Sequence, residues 1–260
     1  MKFSLKTLAA AVALVAVAGT ASAAIDNGAT GNGELFFSAW DGVTSYTYDM
    51  NTTIDAFETS KNAVGNLNLV WGTDFTSNYG SWLATANKSS LQWSVLAMDS
   101  SGQRRILATV GQATLPATNS LNDVLRNSVT DTQKYLANVN GVIGAGNSLV
   151  TTSNTANTYS GNIGDKVFGK FNFDTTGSFA NNSYANGIGF EKTLAAATGI
   201  AAGTNTAYSD DGIAVRSWID GNNTLHIAAM PVPEPSEYAM LLAGLGLMGV
   251  VARRRKNVRV

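Results

Sequence analysis

The sequence has no cysteine and a single histidine, and only 13% of its residues are charged. Without cysteine there is no disulfide framework, no thiolate nucleophile and no cysteine-ligated zinc or iron–sulfur centre, and one imidazole cannot make a histidine-rich metal cluster. Basic charge is not in excess either: 17 Lys+Arg against 18 Asp+Glu leave a net of -1, which speaks against nucleic acid as a partner. The 260 residues are enough for one large all-β domain or two smaller ones.

What is present is most specific at the two ends. Lys2 and Lys6 precede an apolar run from Leu8 to Gly19, followed by Ala21-Ser22-Ala23 before Ala24. A basic segment, a short apolar segment and small residues are the parts of a secretory signal peptide, so residues 1–23 are expected to be removed by signal peptidase after Ala23. A permanent membrane helix is the alternative. The apolar run, half of it alanine, falls well short of the roughly 20 residues needed to span hydrocarbon.

At the other end, Pro231-Val232-Pro233-Glu234-Pro235-Ser236 is followed by an apolar stretch at 238–252, then Arg253, Arg254, Arg255 and Lys256 in the tail 253–260. The prolines impose an extended backbone that an enzyme can grip, since each lacks an N–H and restricts the residue before it. The apolar stretch is expected to form a single transmembrane helix and the basic cluster to stop transfer, its end staying cytoplasmic. At about 1.5 Å per residue this helix spans roughly 22 Å, short of a ~30 Å hydrocarbon core, which suits a transient inner-membrane anchor better than a permanent one.

Pro233-Glu234-Pro235-Ser236, the short apolar helix and the arginine-rich end together resemble the PEP-CTERM sorting signal. The resemblance, confined to the C-terminal segment, implies a Gram-negative bacterial surface protein processed by exosortase, a membrane cysteine protease or transpeptidase. It also implies an association with exopolysaccharide and biofilm matrix. Two other matches fail on context. Gly244-Leu245-Gly246-Leu247-Met248-Gly249 has dinucleotide-binding spacing but lies in the apolar stretch, without the strand–helix turn that motif needs. Leu115-Pro116-Ala117-Thr118-Asn119 looks like a sortase motif but sits mid-chain and reads as a loop.

The exported part, Ala24 to Pro235, has ten basic against seventeen acidic residues, a net of -7. Alternating apolar patterns predict strands over 33–40, 45–48, 66–71, 91–98, 105–110, 167–173, 187–192, 214–219 and 224–229, with hairpins at Asp41-Gly42 and at 220–223. Helical spacing predicts helices over 74–87 and 121–139, the second with Ser120 and Asp123 as a capping pair. The stretch 140–162 reads as a long loop or irregular strands. The expected fold is mainly β: an antiparallel β-sandwich or jelly-roll-like domain over 24–230 with one or two helices.

Candidate chemistry in this domain is sparse. His226 alternates with Leu225 and Ile227 and is expected on the more exposed strand face, and no Gly-x-Ser-x-Gly elbow accompanies it. The chain is read as a non-enzyme and as needing no cofactor. Asp210, Asp211, Asp220, Asn222 and Asn223 are oxygen donors near turns that could take Ca2+, although such residues usually stabilise the turns themselves. Trp40, Tyr46, Tyr48 and Trp218 are candidate stacking platforms for sugar rings, as are Trp71, Trp82 and Trp93, while alternation also suits them all to the core. A structural or adhesive matrix component is the leading expectation, a lectin-like module the alternative, and a two-carboxylate glycoside hydrolase a third reading.

Overall fold

The computed structural model describes residues 24–63, 67–144 and 146–230. The expected signal peptide and the sorting segment, with its expected transmembrane helix and basic tail, lie outside the described residues. Among those described, no helix is long and apolar enough to cross a membrane.

The elements run β1 (Glu34–Trp40), β2 (Ser45–Thr53), α1 (Ile54–Ala63), β3 (Asn68–Trp71), α2 (Thr73–Leu83), β4 (Gln92–Met98) and β5 (Arg105–Val110). They continue with β6 (Thr118–Leu121), α3 (Asn122–Ile143), β7 (Ser148–Thr151), β8 (Gly177–Ser178), β9 (Ile188–Leu194) and β10 (Ala202–Ala207). The small hairpin β11 (Ser209–Asp210) and β12 (Ile213–Ala214) precedes β13 (Arg216–Ile219) and β14 (Leu225–Ala228). All but that hairpin join one antiparallel sheet, whose main path is β3-β14-β13-β9-β5-β4-β1-β2-β7.

A two-sheet sandwich was the expectation; the structure has a single sheet that curls into a half-barrel. Trp71 on β3 and Met50 on β2 stand near opposite ends of the strand order, yet Trp71 Nε1 donates to the Met50 carbonyl at 3.0 Å. The concave side is filled by α2, whose Phe75, Tyr79, Trp82 and Leu83 are buried against Phe37, Tyr46, Tyr48 and Trp93. Phe37 meets Phe75 and Tyr79 edge-on, at ring separations of 5.0 and 5.5 Å, an arrangement that suits the ring quadrupoles.

The convex side is covered too, which the period-2 reading did not anticipate. Phe36, Leu96, Ile106 and Ala108 face Leu125, Val129, Leu136 and Val139 of α3. Ser128 and Thr132 on the buried face of this helix are small, and each hydroxyl bonds a helix carbonyl, so the helix lies close to the sheet without stranded donors. Tyr135 closes the contact, its hydroxyl lying 2.6 Å from Thr47 Oγ1 on β2 and 2.9 Å from Ser160 Oγ.

Further expectations are corrected. Residues 167–173 form no strand: Val167 and Phe168 have φ of 44° and 59°, and this loop sends Val167, Phe171 and Phe173 into the convex core, which mimics alternation. The N-cap of α3 is Leu121, with no side-chain cap from Ser120 or Asp123. The segment 115–119 is not wholly loop, because Thr118 opens β6, which pairs with β10. The α-helices number three among the described residues rather than one or two, and Ser148–Thr151, within the stretch read as a long loop or irregular strands, is a strand paired with the outer edge of β2.

Candidate functional site

An opening on the described surface arises from a branch in the sheet. One edge of β9 serves two partners: Glu191 to Leu194 pair with β10, whereas Ile188 and Gly189 pair with β13. Between these pairings the chain leaves as the β11–β12 hairpin, turning at Asp211 and Gly212, both with positive φ, and Tyr208 N–H bridges the gap to the Phe190 carbonyl at 2.9 Å. A groove of about 480 Å3 opens over the branch, floored by Gly187 and Gly189 and walled by Gln112, Leu115, Asn181, Ala207, Ala214 and Arg216. Its volume lies within the usual range for small-molecule sites.

Its polar walls are held in place by their own bonds. Gln112 Nε2 donates to the Thr114 carbonyl at 2.6 Å and its Oε1 accepts Asp174 N–H at 3.2 Å. Asn181 donates to the Asn186 carbonyl at 2.6 Å and accepts Ser178 N–H at 2.7 Å. Arg216 Nη1 donates to the Gly187 carbonyl at 3.0 Å, and its guanidinium carbon lies 5.7 Å from the centre of the Tyr184 ring. Tyr184 is itself pinned by a 2.8 Å bond to the Ala214 carbonyl. No carboxylate lines the groove. Sequence reasoning missed Arg216, Gln112 and Asn181. The available signal was Arg216 as the lone basic residue between Lys192 and Arg253.

A second polar cluster is internal. Arg105, 4% exposed, reaches Asp99 and Asp55 at 2.9 and 2.6 Å and Glu58 at 3.0 Å. Burial alone would lower its pKa, but the bonds to Asp55 and Asp99 outweigh that and raise it. Glu58 also takes Lys192 at 2.7 Å and the Tyr208 hydroxyl at 2.9 Å, and these contacts override burial to hold its carboxyl below the usual range. The saturated network ties α1 to β5 and β9. Nearby on β9, Glu191 is fully buried and accepts a bond from Thr193 Oγ1, and burial drives its pKa well up.

The residues proposed as stacking platforms are placed otherwise. Trp40, Tyr46, Tyr48 and Trp218 are 5%, 0%, 8% and 5% exposed, and Trp71, Trp82 and Trp93 are buried as well, so none presents a ring face to solvent. Tyr46 and Tyr48 belong to the concave core, and burial pushes the Tyr48 hydroxyl up to about 12. Trp218 lies on the outer face of β13, covered by the parallel His226 ring at 4.7 Å and by Tyr184 edge-on at 5.6 Å. His226 does face away from the core, and its Nε2 lies 3.1 Å from Asp220 Oδ2.

The turn residues named as possible calcium donors fall on two separate turns. Asp210 accepts Leu67 N–H at 2.6 Å, and Asp220 Oδ1 accepts the N–H groups of Asn222 and Thr224, each at 2.9 Å. The Asp220 carboxylate thus braces its own turn, while that of Asp210 ties its hairpin to the start of the β3 segment. Among the described residues, no three His, Cys, Asp or Glu side chains group as a metal site.

The chain was compared with known proteins. The PEP-CTERM protein-sorting motif matches residues 231–256, immediately beyond the described fold. No curated protein and no solved structure matches the chain.

Proposed function

From the PEP-CTERM protein-sorting motif at residues 231–256, which marks the chain for exosortase processing and for the cell surface or extracellular space, we propose a structural or adhesive component of an exopolysaccharide or biofilm matrix. Signal peptidase removes residues 1–23, the 238–252 segment anchors the chain transiently in the inner membrane, and exosortase acts at Pro233-Glu234-Pro235. The protein is the substrate in that processing. The motif carries the reading, and the folded domain is compatible with it: it has no disulfide, and its five tryptophans are spent on packing.

A lectin-like module is the second reading, favoured by the groove at the β9 branch. A glycoside hydrolase would need two carboxylates about 5–10 Å apart across a cleft, and the groove offers none in its lining. The test of the principal reading is fractionation of cells with and without exosortase. The protein is expected at the surface in the first and held in the inner membrane with its basic tail in the second. Identical fractionation in both would refute it.

A further inference from the structure

We propose that the groove at the β9 branch is a binding site for a carboxylate-bearing sugar, with Arg216 as the residue that selects the carboxylate. This rests on the reading of a matrix-facing domain and deepens it. Arg216 is a half-buried guanidinium with no carboxylate partner among the described residues, in an exported domain where acidic residues outnumber basic ones seventeen to ten. Arg105 and Lys192, by contrast, are ion-paired with carboxylates. Arg216 lines the groove, spends one N–H on the Gly187 carbonyl and rests against Tyr184, which fixes the plane of the fork, while its remaining donors bond no other described residue. A planar, pre-oriented guanidinium matches a carboxylate with two parallel bonds.

The rest of the groove suits a sugar ring. Gly187 and Gly189 contribute bare backbone to the lining, Leu115 offers an apolar wall for ring C–H groups, and Gln112 and Asn181 add braced amides. The net of -7 on the exported part repels a densely charged polyanion, so the favoured ligand carries isolated carboxylates among neutral sugars.

The test is calorimetric titration of the full-length chain in detergent with a hyaluronan tetrasaccharide, which alternates uronate and neutral sugars, and with chitotetraose as the neutral probe. Hyaluronan tetrasaccharide is expected to bind and chitotetraose to bind at least about tenfold more weakly. Arg216→Gln is expected to erase that difference, and Arg216→Lys, which keeps charge without the fork, to restore only part of it. Ala207→Phe, at an exposed position of the groove wall, blocks the groove while leaving Arg216 and the core intact, and is expected to abolish binding of both probes. No binding by the unmodified chain, equal affinity for the two probes, or unchanged binding by Ala207→Phe would overturn the proposal. None of these outcomes bears on exosortase processing, which the fractionation tests separately.

Discussion

At the scale of single residues, burial decides what each partner of Arg105 contributes. Arg105 neutralises Asp99, which is 1% exposed, whereas Asp55, at 60% exposed, is screened by solvent and adds little. Arg105→Ala leaves Asp99 buried without a counter-charge and is expected to cost about 3–5 kcal/mol in denaturant unfolding. Asp55→Ala is expected to stay within about 1 kcal/mol of the parent. Equal effects would contradict the assignment.

Two other carboxyls set the pH response. Burial pushes Asp49 up from its ordinary range to about 6, with the N–H bond from Asn51 opposing and Glu34 adding repulsion, and burial raises Glu191 well above its usual value. A folded-state pKa above the unfolded one means stability that is complete below about pH 4 and is lost as pH rises through 6 and beyond. Asp41 and Asp220 act in the opposite sense: their turn N–H bonds outweigh burial and lower both, so their contribution is lost as pH falls below about 4. Unfolding midpoints are therefore expected to peak in the mildly acidic range. Asp49→Asn keeps the acceptor for Asn51 N–H and should flatten the fall between pH 5 and 7; a midpoint that rises through that interval would contradict the reading.

At the scale of elements, the distinguishing property is that the central strands are buried on both faces. Phe36 and Phe37 are adjacent on β1, point to opposite sides, and are both 0% exposed. Each truncated to Ala should cost about 3–5 kcal/mol, because each leaves a cavity in a packed core. A sandwich strand with one solvated face would instead tolerate Phe36→Ala at little cost. Strands β1, β4 and β5 were legible from period-2 runs because one complete face of each is apolar, and α2 and α3 were legible from helical spacing. Helix α1 was not: Ile54 and Phe57 are its buried apolar anchors, too few to show a period. The branch in β9 was also invisible, since which partner a strand takes at each residue depends on contacts far along the chain. The groove inherits that opacity. Its floor is glycine, and Arg216 carries no motif around it.

At the scale of the whole chain, the charges divide by fate. Basic residues flank the two apolar runs at the ends, while the part between Ala24 and Pro235 is acidic at -7, so the near-neutral total hides an exported domain of clear sign. That domain, without cysteine, stands on aromatic packing and a continuous hydrogen-bonded sheet. Reducing agent is accordingly expected to leave its unfolding midpoint unchanged. The sorting motif was the most legible feature of the sequence because its information is local: three prolines, an apolar run and a basic cluster act through order and spacing alone.

The central claim is that exosortase processes this chain at its C-terminal segment. Intact-mass spectrometry of the protein released from the cell surface tests it most directly. The account predicts a polypeptide beginning at Ala24 that lacks Arg253 to Lys256 and ends at or near Pro233-Glu234-Pro235 in exosortase-bearing cells, with the tail retained when exosortase is absent. Surface protein that still carries Arg253 to Lys256, or the same shortened C-terminus in cells without exosortase, would contradict it.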